Sequence, residues 1–170
     1  MLKNRHMFQD QIWLHLKENQ ASPLRLLKLF EVLVPPVPVQ DIARKMGVIV
    51  ESCEIDSDGQ LFMDINAGVA KILVNKRASH VRERFTIAHE IGHLMQHHFT
   101  TVHRDASGQY EGRIEWEANN YAADLLMPYW MIKFVGPRYK NDPRELAPIF
   151  DVSEQAMFYR LKNLGFVPKR

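Results

Sequence analysis

His89-Glu90-Ile91-Gly92-His93 is the stretch of this chain best equipped for chemistry. On a helix, residues i and i+4 share a face one turn apart, so imidazoles at 89 and 93 could hold one metal ion. Glu90 follows the first of them and could take a proton from a water on that ion. Two nitrogen ligands, an open coordination position and a carboxylate base are what metal-assisted hydrolysis requires. The competing reading is a surface helix that happens to carry two histidines. Two local facts argue for a site. Phe85, Ile87, Ala88, Ile91, Leu94, Met95 and Phe99 form one apolar stripe, and His89, Glu90 and His93 lie off it. Gly92 sits inside the helical pattern, where it costs about 1 kcal/mol relative to Ala. A close approach by another segment would explain that cost.

A hydrolytic zinc site wants three protein ligands and leaves a fourth position to water. Residues Arg113 to Met127 read as a second long helix, closed by Pro128, and it offers Glu115 and Glu117. At about 100° per residue, Asn119, Ala122 and Leu126 fall within about 40° of Glu115, whereas Glu117 points about 200° away. Glu115 is therefore the third-ligand candidate and Glu117 a surface charge. Asn119, one turn on from Glu115, could accept the other ring N–H of a ligating histidine. His97 is i+4 from His93, but three histidines at successive i+4 steps rotate by about 40° each, so one ion cannot take all three easily. Candidate donors to a substrate or an oxyanion are His97, His103, Arg113 and Tyr121, with Asn75 at the end of a strand, and the sequence does not choose among them.

The elements that must position these groups follow from periodicity and punctuation. Phe8 to Glu18 and Ser22-Pro23 to Leu33 read as two helices of an N-terminal arm, ended by the prolines at 35, 36 and 38. Val39 to Met46 is a short helix stopped by Gly47. Val48–Ile55, Gln60–Ile65 and Val69–Val74 read as three strands joined by turns at 56–59 and 66–68, and successive strands joined this way pair antiparallel. If Val69–Val74 is a sheet edge, it could pair an extended substrate. The helix carrying the motif spans Val81 to Phe99, with Ser79 as its cap. Residues 100–113 form a polar loop. Asp142-Pro143 opens one further helix to Phe150, and Ser153 caps another over Glu154–Asn163, stopped by Gly165. The expected fold is α+β: a small antiparallel sheet packed with the motif helix and a second ligand-bearing helix, between a helical arm and a helical tail. The expected division is arm 1–34, core 35–135 and C-terminal helical subdomain 136–170.

The bulk numbers agree. The 170 residues are 46% hydrophobic and 25% charged, which suits one core with small appendages. A net charge of +2 is too small to argue for nucleic acid or a membrane surface. The lone Cys53 excludes an intrachain disulfide. Met1–Asp10 carry no apolar signal-peptide region, and the apolar run at Leu26–Val39 is broken by charges and prolines. A cytoplasmic protein is expected.

Phe85-Thr86-Ile87-Ala88-His89-Glu90-Ile91-Gly92-His93 and Glu115-Trp116-Glu117-Ala118-Asn119-Asn120-Tyr121-Ala122-Ala123-Asp124-Leu125-Leu126-Met127-Pro128 resemble the ImmA/IrrE family of zinc metallopeptidases. Pro36 to Gly47, the turn at Gly59 and Ile72–Asn75 also fit, so the resemblance covers roughly 36–130. It implies a gluzincin-like core, one zinc ion per chain held by His89, His93 and Glu115, and Glu90 as the catalytic base. Members of that family typically cleave a helix-turn-helix repressor in mobile-element or stress-response control, so the implied partner is such a regulatory protein. Tyr121 stands where the family commonly has Phe, and 1–34 lie outside the shared pattern.

The tail allows a rival reading. Leu146 to Leu161 look like a helix-turn-helix, whose second helix would read DNA. Its exposed charge is limited to Arg160 and Lys162, with Lys169 and Arg170 beyond, short of a basic stripe. A pair of helices packed on the core is the simpler expectation. The alternative function is then a metal-stabilised regulatory or binding module with little or no hydrolysis. A closed fourth ligand, His97 or His103, would favour that module, and an intact Glu90 favours the enzyme.

Overall fold

A computed structural model describes residues 16, 19, 21–64, 69–96 and 109–166. The helix expected over Phe8–Glu18, the turn at 66–68, the loop to residue 108, Phe99, Lys169 and Arg170 lie outside the described residues or nearly so.

The chain enters through α1 (Pro23–Leu29), capped by Ser22, whose Oγ accepts from Arg25 N at 3.3 Å. Leu26 and Leu27 of α1 are buried. α2 (Val39–Lys45) buries Val39, Ile42 and Ala43, and Gly47 then adopts φ 84, a left-handed value that favours glycine. Three strands follow: β1 (Val48–Cys53), β2 (Gly59–Asp64) and β3 (Val69–Asn75). The fold class is α+β, as expected.

The strand pairing differs from the expected antiparallel meander. The order is β1-β3-β2, with β3 parallel to β1 and antiparallel to β2. A parallel pair needs a connection of a dozen or more residues, and β2 with its flanking turns supplies it. The connection from β1 to β2 passes over the end of β3, where Asn75 holds it. Asn75 Nδ2 donates to Ile55 O at 2.8 Å and to Ser57 O at 3.2 Å. Its backbone N–H donates to Asp58 O at 3.0 Å. One short polar side chain therefore fixes a crossover that the turn residues alone did not announce. Ala70, Ile72 and Val74 on β3 are buried.

α3 (His80–Met95) carries the motif and α4 (Gln109–Leu126) lies against it. The expected stripe is the buried one: Ile87, Ala88, Ile91, Leu94 and Met95 are inaccessible to solvent. Ser79 is the N-cap of α3, but its side chain makes no capping hydrogen bond. Gly92 has the close neighbour that its position implied. A Cβ there would sit 3.1 Å from Tyr121 Cβ and 3.2 Å from Ala118 Cα and O. Those atoms are backbone and Cβ, which cannot swing aside. Gly92→Ala is therefore expected to destabilise the fold by about 1–3 kcal/mol through overpacking, outweighing the gain in helix propensity. Urea unfolding reads this directly, and a more stable Ala variant would refute the close packing.

The chain ends in α5 (Tyr129–Val135), a 3-10 turn at Gly136–Tyr139, α6 (Pro143–Phe150) and α7 (Glu154–Asn163). Asp142 caps α6 by accepting from Arg144 N at 2.9 Å, and Ser153 caps α7 by accepting from Ala156 N at 3.1 Å. Two arginines tie this tail to the rest. Arg84 of α3 is 4% exposed, and its guanidinium donates to Val37 O at 2.8 Å and Asp151 O at 2.9 Å. Its Nε also lies 3.1 Å from the Asp151 carboxylate. Arg160 of α7 donates to Met127 O at 2.9 Å and pairs with Asp124. One cluster of buried apolar residues runs from Leu16 and Leu26 through Ile91 to Phe150 and Leu161. Among the described residues no helix is long and apolar enough to cross a membrane.

Candidate metal centre

One turn of α3 brings the two imidazoles together, with Nε2 of His93 2.9 Å from Nε2 of His89. α4 crosses them where Gly92 lets it approach, and this presents Glu115. Its Oε2 lies 3.2 Å from His89 Nε2 and its Oε1 3.3 Å from His93 Nε2. A tetrahedral zinc with bonds of about 2.0–2.1 Å places its donor atoms about 3.3 Å apart. The three side chains therefore fit such an ion by type and by spacing, and they are the group of metal-binding character among the described residues. Glu117 is turned away and lies 3.9 Å from Arg113, as its helical angle required.

Asn119 Oδ1 lies 3.0 Å from His89 Nδ1. With the proton on Nδ1, the ring donates to Asn119 and its Nε2 lone pair faces His93 and Glu115. Burial pushes the His89 imidazole below its ordinary pKa, the Glu115 charge opposing. Burial thus favours the neutral ring, the state a metal ligand needs.

Glu90 is 8% exposed and faces the same cavity. Burial, with the negative charge of Glu115 adding, raises its carboxyl from the ordinary 4.5 to about 7. A cation held by the three donors would act in the opposite sense and favour the carboxylate. The cavity measures about 790 Å³. Its opposite wall is β2: Gly59, Gln60 and Leu61 line it. A Cβ at Gly59 would collide with Thr86 Cγ2 and lie 3.2 Å from Glu90 Oε1, so glycine lets the strand close over the base.

Several expected donors are placed elsewhere. The Tyr121 hydroxyl is buried and donates to Ala21 O at 2.6 Å, and burial pushes its pKa up. Asn75 is engaged at the sheet crossover, accepting from Arg77 N at 3.0 Å besides its two donations. Arg113 stands on the exposed face of α4 toward Glu117. His97 and His103 lie outside the described residues. The edge is also corrected: β3 has a strand on each side, so β2 is the edge that borders the site. Sequence reasoning missed Arg82, which lines the cavity and pairs with Asp58. Its spacing of seven from His89 puts it on the same face two turns earlier, a signal that could have found it. In the tail, Arg160 turns inward to α4, so it is not a surface cation.

The family model for the IrrE N-terminal-like domain, a peptidase family, matches residues 43–162. The chain is 36% identical over 105 residues to the radiation response metalloprotease IrrE of Deinococcus radiodurans, covering 57% of this chain and 32% of that protein. With the IrrE of Deinococcus deserti it shares 36% identity over 98 residues, 53% of this chain and 35% of that protein. The chain therefore spans about a third of the length of these relatives. It is also 28% identical over 154 residues, 82% of this chain and 92% of the other, to the uncharacterized immunity region protein 2 of Bacillus phage phi105.

Proposed function

The chain belongs to the peptidase family of the IrrE N-terminal-like domain, and from that premise we propose that it is a zinc-dependent endopeptidase acting on a regulatory protein. The observation that carries this reading is the convergence of His89, His93 and Glu115 within hydrogen-bond distance of one another, beside Glu90 and an open cavity. His89, His93 and Glu115 would hold the ion, and Asn119 would orient the His89 ring. When bound, zinc supplies Lewis-acid polarisation of the scissile carbonyl and acidifies the attacking water. Glu90 takes the proton of that water on its carboxylate and returns it to the leaving amine nitrogen. The edge of β2 aligns the substrate backbone as an added strand.

For the substrate we take a helix-turn-helix repressor. The support is the phage relative, which is named for an immunity region and is matched along most of its length. The rival regulatory module is less well supported. Among the described residues three donors leave a position open, and a structural site needs no buried carboxylate next to them. A cytoplasmic location and the division into arm 1–34, core 35–135 and subdomain 136–170 belong to the same proposal. The test is incubation with helix-turn-helix regulators from the same genome, with and without a chelator. Cleavage is expected with zinc, to stop on chelation, and to return when zinc is restored. Cleavage insensitive to chelation sinks the metal mechanism; regulators all left intact by the zinc-loaded protein sink the substrate assignment.

A further inference from the structure

A second groove, about 640 Å³, lies between α3, α4 and α7. It shares Arg82, Phe85 and Asn119 with the cavity of the metal centre, so the two lie side by side. We propose that this groove receives the stretch of the protein substrate flanking the scissile bond on one side, and that it selects a large apolar or aromatic side chain there. The inference rests on the peptidase reading of the adjacent site.

The lining decides the chemistry. Phe85, Trp116 and Tyr159 stand around the groove with Met127 and Ala156, and neutral polar side chains, Asn119, Asn120 and Asn163 among them, share its walls. Trp116 is 66% exposed and Tyr159 is 53% exposed, large aromatic surfaces left in water on the walls of the groove. Aromatic walls of this kind bury another apolar side chain well and hold a backbone at their polar ends. Charge offers no competing selection. Among the described residues no carboxylate lines the groove, and its arginines are already engaged, Arg82 by Asp58 and Arg160 by Asp124 and Met127 O. A basic or acidic substrate side chain would find no uncompensated partner. The volume falls within the range of pockets that enclose small ligands. α7 thereby gains a role: it is one wall of a substrate groove, held against α4 by Arg160 and against α3 through the Arg84–Asp151 link.

The test uses a set of labelled decapeptides of Gly, Ser and Ala, with one Phe moved through the positions, against the full-length chain. Binding is read by fluorescence anisotropy on zinc-loaded Glu90→Gln protein, and cleavage of the same peptides on the wild type. Phe at the favoured positions is expected to tighten binding about tenfold or more. The cut is expected to move with the Phe, at a constant offset. Gln155 is exposed and lines the groove, so Gln155→Trp fills it without touching the core, and Tyr159→Ala removes a wall. Both variants, with zinc content checked, are expected to reduce the Phe effect to within twofold. No gain from Phe at any position, or a gain that persists in both variants, overturns the groove. A Phe-dependent gain in binding, lost in both variants but without any cleavage by the wild type, sinks the peptidase reading and leaves the groove standing. If residues 97–108 of this chain fill the groove instead, Gln155→Trp changes stability and no peptide shows a Phe effect, which also overturns the proposal.

Discussion

Glu90→Gln is expected to retain one zinc ion per chain and to lower cleavage by about 10²–10⁴-fold, the usual contribution of a positioned general base. The substitution preserves shape and leaves His89, His93 and Glu115 untouched, so the metal donors stay within their present spacing of 2.9 to 3.3 Å. It removes only the lone pair that accepts the proton of the attacking water. It should also stabilise the metal-free protein. Burial and the charge of Glu115 together hold the Glu90 carboxyl at about 7, so an ionised Glu90 is a cost to the apo fold near neutral pH. Asn119→Ala provides the contrast, since it touches the orientation of His89 and not the proton transfer. Zinc affinity is expected to fall about 10–100-fold there, with the rate per loaded site much less affected. Metal titration and single-turnover cleavage separate the two variants. A Glu90→Gln protein that cleaves at the wild-type rate would remove Glu90 from the mechanism.

Arg84→Met is expected to cost about 3 kcal/mol of stability, although the residue makes no contact with the metal donors. Met keeps much of the volume and none of the donors. Val37 O loses its buried partner and Asp151 loses its bonds to the guanidinium. Asp151 is part-exposed and retains His80 at 2.7 Å, which keeps the figure at the lower end for a broken buried pair. For a chain of this length the loss corresponds to a fall of about 6–12 °C in Tm. Arg84→Lys should recover little, because an ammonium cannot reproduce a fork that meets two carbonyls and a carboxylate. Thermal unfolding at fixed zinc concentration checks this. A loss under about 1 kcal/mol would mean that Arg84 does not hold the tail, leaving that to Arg160 and the apolar contacts.

Much of the geometry of the candidate site was legible because helical geometry is local. The i and i+4 spacing put His89 and His93 on one face, the 3.6-residue period separated Glu115 from Glu117, and the mid-helix Gly92 announced a crossing segment. The caps at Ser22, Asp142 and Ser153 were equally local, each a side-chain oxygen bonded to an N–H two or three residues on. Long-range partners were not legible. Tyr121 looked like a donor to the site until its hydroxyl met Ala21 O, one hundred residues away in sequence. Asn75 looked the same until it proved to hold the crossover. Gly59 read as a turn glycine, and its contact with Thr86 and Glu90 exists only once the strand packs on the helix.

The amino-acid sequence by itself determined which residues of each helix face one another and what chemistry they can share, since a few residues of backbone set those angles. Tertiary structure alone decided the strand order, the edge that borders the cavity and the groove beyond it. Strand pairing and helix docking join residues far apart in the chain, and several pairings satisfy the same alternation of apolar and polar residues. The choice among them is made by side chains such as Asn75 and Arg84, whose partners are set by the whole fold.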